Sequence, residues 1–233
     1  MLRDMRKKSP ESLPAPRDDE LLRLPLFEGL PLARIVVVDD ARRADEARDE
    51  LIGRAAVGFD TESRPTFTRQ QTSDGPHLVQ FATEERAYLF PTHVAAGVEA
   101  VVALLARPGL LKVGFGLASD RLLIARRWQT EVADLVDLDQ RFRALGFRRS
   151  LGVRAAVALT MGRRFVKSKK ISTSDWSRAQ LDDRQKLYAA NDAYAALRVH
   201  LAFDPEALRA QGGARGVEAT PDMRQAKETP DAR

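Results

Sequence analysis

The sequence predicts an α/β fold, a mixed sheet flanked by helices. Three leading apolar runs joined by turns are followed by runs that alternate with segments of helical spacing, which places strands of both directions in one sheet. The 233 residues, 44% of them hydrophobic, supply a core for one domain with tails, or for two small ones.

Residues 1 to 20 carry charge and three prolines, Pro10, Pro14 and Pro16, and read as a flexible arm. Leu21 to Leu32 is apolar but broken by Pro25 and Pro31, so it packs irregularly on the domain. Ile35-Val36-Val37-Val38 is β-branched and reads as a strand. Asp39 to Ile52 reads as a helix, with Asp39 or Asp40 available as its cap. Ala55 to Asp60 is a buried strand ending in polar chemistry, and Ser63 to Pro76 is a polar loop.

Leu78 to Ala82 and Ala87 to Phe90 flank the polar turn Thr83 to Arg86, a hairpin signal without the usual glycine. Val94 to Ala106 has helical spacing and stops before Pro108. Leu111 to Phe115 follows as a strand, Ser119 to Trp128 as a helix, and Val132 to Leu138 as a further strand candidate. From Gln140 the pattern is helical with breaks, and the longest helix spans Asp182 to Ala202. Beyond Phe203 the chain turns polar, with disorder expected from residue 210. The expected organisation is an arm and lead-in over 1–30, a folded domain over 31–203 and a polar, disordered tail over 204–233.

With no cysteine, disulfides, thiolate catalysis and cysteine-bound zinc are excluded. His77, His93 and His200 lie far apart and form no zinc-helix pattern, which leaves hard oxygen donors for any metal. No apolar run approaches the roughly 18 residues of a membrane span, and no hydrophobic signal core follows the charged N-terminus. A soluble, cytoplasmic protein without a membrane partner is expected. A net charge of +5 and a pI near 9.7 permit a polyanionic partner. Most of that charge is arginine in an alanine-rich chain, so part of it can reflect coding composition.

Three segments carry candidate chemistry. In Phe59-Asp60-Thr61-Glu62 the two acids are two residues apart on a strand end and share a face, where they can hold divalent cations or stand solvated. Asp120 follows the turn Gly114-Phe115-Gly116 and begins a helix, where an acid is also electrostatically favoured. In Tyr188-Ala189-Ala190-Asn191-Asp192 a phenol and a carboxylate lie four apart on one helix face. Small alanines beside them allow close packing on the sheet. Four acids gathered at one point repel each other unless cations hold them.

FDTE, GFGLASD and YAAND, in this order, resemble the three motifs of the DEDD superfamily of exonucleases, and Y-x-x-x-D looks like its tyrosine branch. The stretch from Lys169 through Ser174-Asp175-Trp176-Ser177 and Gln185 to Ala190 is similar to ribonuclease D and to Werner-type exonuclease domains, with the likeness running over residues 31–203. The resemblance implies an RNase H-like five-stranded mixed sheet flanked by helices. It also implies 3′-to-5′ hydrolysis of phosphodiester bonds with release of nucleoside 5′-monophosphates, on single-stranded DNA or RNA 3′ ends or short oligonucleotides. By position, Asp60, Glu62, Asp120 and Asp192 match the metal-site acids and Tyr188 matches the residue that orients the attacking water.

Two divalent cations, Mg²⁺ or Mn²⁺, about 3.5–4 Å apart would stabilise both the attacking and the leaving oxygen. On this reading Asp60 bridges both ions, Glu62 and Asp192 complete one site, and Asp120 serves the other. The resemblance implies that backbone amides near Thr61 and Glu62 and the ring of Phe115 meet the terminal nucleotide. Arg163, Arg164, Lys167, Lys169 and Lys170 form either a track for the phosphate backbone or a solvated loop. Arg64, Arg69 and Arg121 are further phosphate candidates, Trp176 anchors its loop to the core, and Asp134, Asp137, Asp139 and Asp175 read as caps or surface charges. A non-catalytic nucleic-acid-binding relative of the same fold is the alternative. The absence of a P-loop or a strand-linked dinucleotide motif argues against a nucleotide-binding α/β enzyme.

Overall fold

A computed structural model describes residues 12–65, 73–147 and 149–218, with side chains through residue 211. One mixed sheet runs in the order β1-β4-β3-β2-β5-β6. Its strands are β1 (Ile35–Val37), β2 (Ala56–Glu62), β3 (Leu78–Ala82), β4 (Ala87–Pro91), β5 (Leu111–Gly114) and β6 (Leu135–Asp137). β3 is antiparallel to both neighbours, while β1–β4, β2–β5 and β5–β6 pair in parallel. The sheet therefore has six strands where the resemblance implied five. The addition is the edge strand β1, whose β-branched residues pair with Ala87 to Leu89.

The helices are α1 (Asp18–Arg23), α2 (Ala41–Ile52), α3 (Ala95–Ala106), α4 (Ala118–Trp128), α5 (Leu138–Leu145), α6 (Gly152–Met161), α7 (Lys169–Ser172), α8 (Asp183–Leu201) and α9 (Pro205–Glu218). Alternation along the strands sorts them onto two faces. Val57, Phe59, Val79 and Phe81 point into a core with Ala47 and Leu51 of α2 and Val101 and Leu104 of α3. Leu78 and Ala82 point the other way, into a core with Trp176, Tyr188, Ala189, Ala190 and Ala193. Fully burying one such Leu or Phe contributes about 1.5–3 kcal/mol.

Local chemistry accounts for the element ends. Asp40 caps α2 by accepting from Arg43 N at 2.7 Å, and Asp182 caps α8 in a reciprocal box with Gln185. The β3–β4 turn needs no glycine because the Thr83 hydroxyl accepts from the Glu85 and Arg86 amides at 3.2 Å.

Both ends of the chain differ from the sequence reading. Over residues 12–30, expected as arm and irregular lead-in, the chain forms α1 with Leu21 buried. It also makes isolated bridges from Leu13 to Phe147 and from Leu26 to Arg164. Asn191 clamps the lead-in to α8, accepting from Leu30 N at 2.6 Å. The expected tail from 204 instead begins with α9, because Leu208 is buried and Asp204 accepts from the Glu206 and Ala207 amides. Residues 1–11 and 219–233, and with them the rest of the arm and tail expectations, lie outside the described residues, as does Arg69. No described helix is long and apolar enough to cross a membrane.

Candidate active site

Asp60 and Glu62 stand at the C-terminal end of β2, on the sheet face that meets α8. A Cβ on Gly58 would lie 1.9 Å from the carbonyl oxygen of Ala193, so the α8 backbone rests directly on the strand. Ala189, Ala190 and Ala193 are fully buried and permit that approach. It delivers Asp192 to the strand end, where carboxylate oxygens of Asp60, Glu62 and Asp192 lie within 4.8 Å of one another.

Asp120 is not in this tight group. It sits in the first turn of α4 and accepts a hydrogen bond from the Thr61 hydroxyl, which couples it to the strand that carries the acid pair. The turn before α4 is held by Asp137, which accepts from Gly116 N at 3.0 Å and Leu117 N at 3.1 Å. Gly116 has φ +64°, a left-handed conformation suited to glycine. Tyr188 lies one helical turn before Asp192, buried, with its ring centroid 5.9 Å from that of Trp176.

The electrostatics are those of charge confined without enough counter-charge. Burial, then the Asp192 and Asp120 carboxylates, pushes the Asp60 carboxyl well above its usual range. Glu62 is pushed to about 9, by burial first and then by Asp60 and Asp192. Asp120 and Asp192 are raised as well, both chiefly by burial. Tyr188 is pushed up to about 12 by burial and by Asp192, so it is a phenol, a hydrogen-bond donor, at neutral pH.

Among the described residues, Lys167 answers this charge. Lys167 Nζ lies 2.7 Å from Asp192 Oδ2 and 5.2 Å from the Tyr188 ring centroid. Burial acts to lower its pKa, and the Asp192 and Asp60 carboxylates outweigh that and raise it. Among the described residues, Lys167 and the nearby Tyr188 hydroxyl are the groups that favour the ionised Asp192 carboxylate, whose two oxygens are otherwise buried without partners. Buried, unpartnered hard oxygens at converging carboxylates fit a divalent cation, and Asp60, Glu62 and Asp192 are the residues that could hold it.

A cavity of about 420 Å³ opens on this cluster, lined among others by Asp60, Asp192, Phe115, Lys167, Arg149 and Arg154. Phe115 lines this cavity, beside Asp60. The Thr61 amide donates to Asp60 Oδ1 at 2.9 Å and its hydroxyl to Asp120. The basic segment divides. Lys167 enters the acid cluster, whereas Lys169 and Lys170 are exposed on α7. Arg164 is tied by its backbone to Pro25 and Phe27 and lines a separate cavity beside Tyr188. Arg163 lines a third cavity with Met161 and Arg198, away from the acids. Exposed Arg64 pairs with Asp74 at 2.8 Å, and Arg121 is exposed on α4.

Trp176 is buried and donates its indole N–H to Ser172 O at 3.2 Å, which fixes the loop before α8. Asp175 accepts from Ser177 N in a local turn, whereas Asp134 and the buried Asp139 tie distant segments by accepting from Gly109 N and Leu151 N. Three contributors escaped the sequence reading. Gln80, fully buried on β3, pairs in register with Asp60, and its side-chain amide has no partner among the described residues. The signal was a lone polar residue inside an apolar strand. Arg149 and Arg154 reach the cavity only through the fold.

An α/β sheet whose second strand sets an acid pair against an acid on a packed helix belongs to a known class. A family model described as 3′-5′ exonuclease matches residues 35–207, and the chain belongs to that family. The family is one of 3′-5′ exonucleases.

The mouse bifunctional 3′-5′ exonuclease/ATP-dependent helicase WRN is 29% identical over 146 residues, 62% of this chain and 10% of that protein. The chain thus spans about a tenth of that relative's length. Among solved structures, the EXO domain of Aedes aegypti Nibbler matches with TM-score 0.65 at 19% identity, over 80% of this chain and 99% of that one. Trypanosoma brucei RNase D, in complex with RNA U12, matches with TM-score 0.65 at 20% identity, over 91% of this chain and 77% of that one.

Proposed function

We propose that this chain removes nucleotides one at a time from the 3′ ends of single-stranded nucleic acid or short oligonucleotides, by hydrolysis that depends on two divalent cations, Mg²⁺ or Mn²⁺. The observation that carries this reading is the meeting of Asp60, Glu62 and Asp192 within 4.8 Å. Such proximity is costly for buried acids and is relieved by bound cations. The solved structure of T. brucei RNase D with RNA supports an oligonucleotide as the substrate class.

Asp60, Glu62 and Asp192 would hold one cation, and Asp60 with Asp120 the second. Bound there, the cations would supply Lewis acidity toward the phosphate and lower the pKa of a bound water. The protein's own contribution is position. Thr61 fixes the Asp120 carboxylate, and Gly58 lets α8 set Asp192 against β2. Tyr188, a phenol across the neutral range, orients the attacking water by hydrogen bonding and does not remove its proton. The Phe115 ring forms an apolar wall on which a terminal base can stack, a contact that tolerates any base. Arg149 and Arg154 on the cavity rim meet the phosphates behind it. Release of the terminal residue as a nucleoside 5′-monophosphate follows from attack on the phosphorus of the last linkage.

The test is a 5′-labelled single-stranded oligonucleotide incubated with Mg²⁺. A ladder that shortens stepwise from the 3′ end, with nucleoside 5′-monophosphates as products, is expected. Internal cuts, or equal loss with EDTA present, would contradict the proposal.

A further inference from the structure

The Lys167 ammonium is held against Asp192, one of the three acids that could hold a divalent cation. The loop from α6 to α7 is pinned on both sides of it. Arg164 exchanges backbone hydrogen bonds with Pro25 and Phe27 at 2.8 and 2.9 Å, and Phe165 is buried. Ser168 then caps α7 by accepting from Ile171 N. Between these anchors the Lys167 side chain, 35% exposed, reaches inward to an Asp192 carboxylate that is 4% exposed. Its ammonium stands over the Tyr188 ring and lines the same cavity as Asp60 and Phe115. Lys169 and Lys170, two and three residues on, remain exposed and enter no ion pair among the described residues.

We propose that Lys167 is a tethered counter-ion that competes with the divalent cation for Asp192 and, when the cation enters, passes its ammonium to a phosphate of the strand in the cavity. This rests on the metal-site reading given above. One positive charge cannot balance the group of acids, but it can keep the metal-free site from repelling itself open. Once divalent cations fill the site, the sign reverses and the ammonium is repelled from Asp192. The anion then available in the same cavity is the substrate backbone. Lys167 thereby couples metal binding to phosphate binding, and the coupling is reciprocal by linkage.

The experiment measures Mn²⁺ affinity by calorimetry on the full chain, with and without adenosine 5′-monophosphate as the phosphate probe. The proteins compared are wild type, Lys167→Met, Lys167→Arg and Asp192→Asn. Without nucleotide, Lys167→Met should bind Mn²⁺ about ten-fold more tightly than wild type, since a competing charge is gone. Lys167→Arg, which keeps the charge, should stay near wild type. The nucleotide should tighten Mn²⁺ binding in wild type and do so less in Lys167→Met. The metal-free melting temperature of Lys167→Met should fall below wild type, with the two converging at saturating Mn²⁺, which also shows that the variant folds. Mn²⁺ affinity in Lys167→Met equal to or weaker than wild type would overturn the proposal while leaving the metal site intact. Undiminished Mn²⁺ binding by Asp192→Asn would overturn the metal-site reading, and this proposal with it.

Discussion

The Ala193 carbonyl oxygen occupies the space that a side chain on Gly58 would need, 1.9 Å from where its Cβ would stand. The site exists because α8 lies backbone-to-backbone on β2 at this point. A Gly58→Ala substitution must push the helix away from the strand. We expect a stability loss of about 2–4 kcal/mol, as for overpacking into an interior that cannot yield. Exonuclease activity should fall with it, even at temperatures where the variant is folded, since Asp192 moves with the helix. Urea denaturation alongside a single-turnover assay checks both.

The Thr61 hydroxyl donates to Asp120 from β2 across to α4, beside the Ser119 hydroxyl of the same helix. Thr61→Val keeps the shape and the strand preference but removes the donor. Activity should drop on the order of 10- to 100-fold, the usual effect of losing a partner that orients a metal-site carboxylate. Stability should change by less than about 1.5 kcal/mol. An unchanged rate would remove Asp120's positioning from the account.

Asp60→Asn separates function from stability. Its carboxyl is buried and crowded by Asp192 and Asp120, so ionising it in the metal-free protein is unfavourable. The amide carries no charge and can still accept from Thr61 N. At pH 8 and without metal, the variant should be more stable than wild type, since the unfolded aspartate is ionised there while the folded one is not readily so. Its exonuclease activity should be lost, and Mn²⁺ should no longer raise its melting temperature. Calorimetric melting with and without Mn²⁺ decides this.

Glu62 fixes the sign of the pH dependence. An unfolded glutamate titrates near 4.3, and in the folded chain burial and its acidic neighbours raise Glu62 to about 9. The folded state therefore binds the extra proton between those values. The stability this contributes is fully present below the unfolded pKa and is lost as pH rises through the folded one. In EDTA, wild type should lose stability from pH 5 to pH 9 more steeply than Glu62→Gln. Mn²⁺ binding displaces that proton, so it should tighten with pH over the same window and release protons measurable in buffers of different ionisation enthalpy. Identical slopes for wild type and Glu62→Gln would contradict this.

Tyr188→Phe should lower kcat by at least about 10-fold, within the usual range for a positioned catalytic group. Because the phenol is raised to about 12, the wild-type pH–rate profile should show no descending limb from it below pH 9. A rising wild-type limb below pH 9 that disappears in Tyr188→Phe would make the tyrosine a base.

Much of the site is legible in the sequence because its parts obey short periods. Asp60 and Glu62 share a strand face two residues apart, and Tyr188 and Asp192 share a helix face four apart. What local spacing does not carry is how those faces meet. Lys167 reads as one basic residue among five, and only the pinned path of its loop aims it at Asp192. Thr61 reads as backbone at a strand end, yet its hydroxyl reaches across to α4. Asn191 sits inside the motif without a chemical role, and the fold uses it to clamp Leu30. α1 and α9 look polar in sequence and are ordered by single buried leucines, Leu21 and Leu208. Gln80 reads as an oddity in an apolar strand until the register sets it beside Asp60.

The central claim is that carboxylates from β2 and α8 converge to hold a divalent cation. Anomalous diffraction from crystals soaked in Mn²⁺ tests it most directly. The account predicts a manganese peak among Asp60, Glu62 and Asp192, with the Lys167 ammonium withdrawn from Asp192. A soaked crystal with no manganese there, and Lys167 still paired with Asp192 at millimolar Mn²⁺, would contradict it.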